Sequence, residues 1–63
     1  MALTLKAARV NKKLNQAEAA KKIGVSLSTL SKWESGKCFP SVKYIPRITE
    51  VYCVKYDDLI FLQ

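Results

Sequence analysis

The chain has 63 residues, with 11 Lys plus Arg against 5 Asp plus Glu, no His, and a formal net charge of +6. That length holds one domain with a modest core, leaves little room for an enzyme pocket, and the missing His removes the commonest general base and zinc ligand. Ten basic and two acidic side chains fall in residues 1–47, while residues 48–63 carry Lys55 against Glu50, Asp57 and Asp58; such a basic front fits a nucleic acid, a membrane surface or plain solubility.

No apolar run approaches the ~18 to 20 residues that cross a bilayer. Met1 to Lys6 lacks the pattern of a secretion signal, so a cytoplasmic protein with reduced thiols at Cys38 and Cys53 is expected. A hydrophobic share of 49% argues for a folded chain. In chain order, a first helix is predicted from about Leu5 to Lys12, with Thr4 as its N-cap and Leu5, Ala8 and Arg9 on one face. A second runs from Gln16 to Ile23. Asn15 followed three residues later by Glu18 forms its capping box, and Gly24 suits the left-handed residue after it. A third runs from Leu27 to Ser35, capped by Ser26 and stopped by Gly36. Leu30 and Trp33 face inward there, and Leu27, Ser28, Ser31 and Lys32 are left outside. A fourth should cover roughly Val42 to Tyr52, with Ile45, Ile48 and Tyr52 inward. Pro46 conflicts with an interior helical position, so this helix either begins later or bends there. A last short helix, about Tyr56 to Ile60, carries Leu59 to the core. The expectation is a compact all-α domain of five short helices over residues 1–63.

The block from Gln16 to Glu34, QAEAAKKIGVSLSTLSKWE, resembles the helix-turn-helix of the phage-repressor/Cro-like (XRE) DNA-binding family. Ala20 is small where two helices would cross, and Gly24 sits in the turn. Ala19, Ile23, Val25, Leu30 and Trp33 are the apolar positions that fix the third helix against the second. The likeness continues through Glu34-Ser35-Gly36-Lys37 and Phe39-Pro40-Ser41. It ends with Ile48, Tyr52-Cys53-Val54 and Asp57-Asp58-Leu59-Ile60, so it covers nearly the whole chain. Cys53 stands where the family usually has Gly, Lys55 where it has a Ser cap, and Leu27 where it often has a polar reader.

The resemblance implies a compact five-helix repressor-like domain, with the motif at about 16–35, that binds a double-stranded DNA operator. It places the start of the third helix in the major groove. Ser28 and Lys32 are then the leading base contacts, with Leu27 against a thymine methyl and Thr29 serving a base or a phosphate. Asn15, Gln16, Ser35, Lys37 and Lys43 are implied phosphate contacts. Arg9 and Glu34 are implied to form a structural ion pair. Repression as a homodimer, joined through the apolar C-terminal segment from Leu59 to Leu62, is the expected outcome. A protein-interaction or antitoxin-like module that keeps the fold is the alternative. Asp57 and Asp58 read as helix-capping acids and Trp33 as core, so no catalytic residue, metal or cofactor is expected.

Overall fold

The structure, a computed structural model, describes residues 3–60. Its elements run β1 (Leu3–Thr4), α1 (Leu5–Asn11), α2 (Gln16–Ile23), α3 (Leu27–Ser35), a 3-10 turn (Val42–Tyr44), α4 (Ile45–Tyr52), a second 3-10 turn (Tyr56–Asp58) and β2 (Leu59–Ile60).

The first three helices begin where side chains can replace missing backbone partners. Thr4 accepts from the Ala7 amide at 3.1 Å, and Ser26 accepts from the Thr29 amide at 3.1 Å. At α2 the Glu18 amide donates to Asn15 at 2.7 Å while the Asn15 amide donates to Glu18 at 3.0 Å, so the box is closed in both directions. Gly24 ends α2 at φ 95° and Gly36 ends α3 at φ 83°, where a side chain would be strained. Cys53 ends α4 in the same left-handed region at φ 55°.

One expectation is settled and one changes. Of the two outcomes that Pro46 left open, the fourth helix takes the later start, at Ile45 instead of Val42, because Pro46 must sit in its first turn and the residues before it close only as a 3-10 turn. The fifth helix is absent, which leaves four α-helices among the described residues. Tyr56–Asp58 makes one 3-10 turn with no side-chain cap at Lys55. Leu59 and Ile60 then pair in parallel with Leu3 and Thr4. Three residues are too few for an α-helical hydrogen bond, and the backbone beyond them finds partners 56 positions away in the chain instead. The fold is thus mostly helical, with a two-residue parallel ladder joining its two ends.

The core gathers one stripe from each helix: Leu5 and Ala8, Ala19, Ala20 and Ile23, Leu30 and Trp33, Ile48 and Tyr52, closed by Leu59. Ala19 and Ala20 are small and fully enclosed, which lets α2 and α3 lie close together. Trp33 packs against Tyr44 with ring centroids 5.5 Å apart. Ile45, expected inside, is only half-buried. Arg47 donates to the Lys22 carbonyl at 3.3 Å, so α4 also satisfies the C-terminal end of α2. Of the apolar tail, Leu59 is buried and Ile60 exposed, and Phe61 and Leu62 lie outside the described residues.

Candidate nucleic-acid interface

Burial splits α3 lengthwise. Leu30, Trp33 and Glu34 face in, whereas Leu27, Ser28, Ser31, Lys32 and Ser35 face out and Thr29 lies between. Helical spacing arranges the outer residues in two neighbouring rows, Leu27-Ser31-Ser35 and Ser28-Lys32. Leu27 is 50% exposed, a large apolar side chain offered to solvent on an otherwise polar face. Thr29 is partly committed, since its hydroxyl oxygen accepts from Ser26 at 2.9 Å.

A buried polar network sets the position of this face. Arg9 Nε donates to Glu34 Oε2 at 2.8 Å, and Arg9 Nη2 donates to Glu34 Oε1 at 3.3 Å. Arg9 Nη1 donates to the Leu14 carbonyl at 2.8 Å. Gln16 Nε2 donates to Glu34 Oε1 at 3.0 Å. Glu34 therefore ties the last turn of α3 to α1 and to the first residue of α2, and Arg9 adds the loop after α1. A two-pronged guanidinium clamp of this kind fixes angle as well as distance. Its hydrogen bond to Glu34 raises the Arg9 pKa above the ordinary value, with burial opposing and the Glu34 charge adding. Tyr52, buried nearby, is pushed up to about 12, first by burial and then by the Glu34 carboxylate, against a lowering from Arg9.

The residues expected at phosphates are not equally free. Asn15 spends its side-chain carbonyl on the α2 cap. Ser35 turns its hydroxyl proton onto the Lys32 carbonyl at 3.1 Å, so as placed it can only accept. Lys37 is exposed just beyond Gly36. Lys43 is exposed with its ammonium 5.1 Å from the Tyr44 ring centre. Gln16 and Ser35 line one surface hollow together with Lys6, Arg9, Ser31 and Glu34. Lys43 borders a different one, beside Tyr44 and Arg47. Sequence reasoning missed Lys6. It lies three residues before Arg9, a spacing that puts both on one side of α1, so placing Arg9 against Glu34 would have placed Lys6 beside them.

Two short helices joined by a tight glycine turn, with the second helix presenting a polar outer face, define a helix-turn-helix protein. A helix-turn-helix family model matches residues 5–59, and the chain belongs to that XRE-type family of DNA-binding transcriptional regulators. It is 36% identical over 52 residues to the HTH-type transcriptional activator BcrR of Enterococcus faecalis, covering 82% of this chain and 26% of that protein. It is 37% identical over 59 residues to an uncharacterized HTH-type transcriptional regulator of Methanocaldococcus jannaschii, covering 94% of this chain and 89% of that one. The chain thus spans about a quarter of the length of the first relative and most of the second. No solved structure matches it. No described helix is long and apolar enough to cross a membrane.

Proposed function

We propose that this chain binds double-stranded DNA sequence-specifically in the cytoplasm and regulates transcription by binding, not by catalysis. α3 lies in the major groove. Ser28 and Lys32 meet base edges, Leu27 meets a thymine methyl, and Thr29 sits at the edge of the contact. Asn15, Gln16, Lys37 and Lys43 hold the backbone on either side, and Ser35 joins them once its hydroxyl rotates. The observation that carries this reading is the outward face of α3, held at a fixed angle by the Arg9–Glu34–Gln16 network. Lys suits guanine O6 and N7, and Ser pairs with several bases.

The longest extent of the molecule is 27 Å, short of the ~34 Å between successive half-sites on one face of a duplex. Tight binding therefore calls for two copies, and the C-terminal segment is the proposed contact between them. Repression is the proposed outcome, because occupying DNA that polymerase must reach needs nothing beyond binding. Activation, named for the longer relative, requires a further contact.

The test is selection of duplexes from a random pool, followed by titration of the parent and of Ser28→Ala/Lys32→Ala. The expected result is a palindromic site and a loss of at least tenfold in the double variant. Tenfold is about 1.4 kcal/mol, a floor within the ~1–3 kcal/mol of even one lost base contact. Equal affinity for selected and random duplexes, or a double variant that binds as the parent does, overturns the reading and favours a protein-interaction module.

A further inference from the structure

We infer that another hollow, where the ends of α1 and α2 meet α4, is a docking site for an acidic peptide segment of a partner protein, one that carries an apolar side chain among its carboxylates. This goes beyond the DNA reading and does not depend on it.

The hollow is lined by Lys12, Leu14, Lys22, Arg47, Glu50 and Val51. No residue of α3, and none proposed at a base or a phosphate, borders it. Leu14 and Val51 are partly buried and pack against the core, which gives the hollow an apolar floor. Lys12, Lys22, Arg47 and Glu50 stand exposed around that floor. Lys13, also exposed, falls in the chain between the lining residues Lys12 and Leu14. Four cations thus face one acid, and none of the five forms an ion pair among the described residues.

Local physics accounts for two of these cations and not for the other two. Lys12 and Lys22 lie at the C-terminal ends of α1 and α2, where the helix dipole favours positive charge. Lys13 holds φ 58°, a left-handed backbone that glycine would adopt without strain. Arg47 lies in the first turn of α4, where the dipole disfavours a cation. Its Nη1 donates to the Lys22 carbonyl, and its Nε and Nη2 form no hydrogen bond among the described residues. Positive charge is therefore kept here at two positions that cost local stability, and backbone strain of the Lys13 kind gathers at binding sites.

The chemistry of the hollow selects its occupant. Carboxylates complement the cations, and one aliphatic side chain suits the Leu14–Val51 floor. A phosphate backbone offers nothing to that floor. A membrane surface needs apolar side chains that protrude, whereas these two are partly buried among exposed polar ones.

Amide NMR of the isotope-labelled chain, titrated with a short peptide of glutamates around one central leucine, tests the site. Shifts are expected at Lys12, Lys13, Leu14, Lys22, Arg47 and Val51, with α3 unmoved. Exchanging the glutamates for glutamines, or the leucine for alanine, should weaken binding. Lys12→Ala/Lys22→Ala should weaken it about fivefold, as two exposed charge pairs are lost. Lys13→Gly should also weaken it while raising the thermal midpoint, a pairing that a folding defect cannot produce. Shifts gathered on α3 and Gln16 would put the peptide on the proposed DNA face and overturn the site. A titration that does not saturate, or parental affinity in either variant, overturns it equally. Sedimentation with phosphatidylserine vesicles that the double variant loses, in a chain that ignores the peptide, would give the hollow to a membrane surface instead.

Discussion

At Tyr52 a phenol ring is 1% exposed, and its hydroxyl has no hydrogen-bond partner among the described residues. Burying a hydroxyl without a partner costs ~1–3 kcal/mol. Tyr52→Phe removes that group and keeps the ring, so the variant is expected to be as stable as the parent or up to ~1 kcal/mol more stable, read from the urea midpoint. The two proteins should then diverge in alkali. Folding raises this phenol from 10.0 to about 12, chiefly by burial. A group that is harder to ionise when folded contributes its stability in full below about 10 and loses it as the pH climbs toward about 12. The parent should therefore lose stability across that window more steeply than Tyr52→Phe. Parallel stability curves would show that the phenol is not the titrating group.

At the scale of elements, α4 ends on a side chain where glycine would be relaxed. Cys53 holds φ 55° so that the Cys53 amide can reach the Glu50 carbonyl at 3.4 Å and the Val54 amide the Thr49 carbonyl at 3.1 Å. The left-handed region costs a non-glycine residue ~1–2 kcal/mol, and the Cys53 side chain is exposed. Cys53→Gly is thus expected to raise the thermal midpoint by about 4–8 °C, the shift that ~1 kcal/mol produces in a domain of this size. A lower midpoint would mean that the thiol contributes more than its backbone costs. This helix end was half legible in sequence, since Cys53 could be aligned with the usual glycine. Ser26, Gly24, Gly36 and the Asn15–Glu18 box were legible outright, because caps and stops depend on residues at most four apart. The β1–β2 ladder was not. Two residues are too short to show alternation, and their partners are at the other end of the chain. The Gln16–Glu34 bond was hidden for the same reason, its partners being 18 positions apart; the turning of Ser35 onto Lys32 is local but depends on one rotamer.

For the whole molecule, a chain of 63 residues has only about 3–9 kcal/mol of folding stability at the usual amount per residue. Leu59 is the last core side chain among the described residues, and it sits opposite Leu3 in the β1–β2 ladder. Leu59→Ala is expected to cost about 2–3 kcal/mol, the lower part of the range for a core leucine, because the site lies at the core's edge. Circular dichroism should show a thermal midpoint lower by ten degrees or more. A shift of only a degree or two would show that the four helices stand without the clamp.

Trp33 is the one tryptophan in the chain. It lies on α3 but points away from that helix's exposed face, 5% exposed and beside Tyr44. The protein therefore carries its own optical reporter, sited on the element whose orientation matters most. Its emission will follow unfolding without any added label. A bound duplex on the opposite face of the helix, out of reach of the indole, should leave that emission nearly unchanged, so a large spectral change on adding DNA would signal that α3 itself has moved.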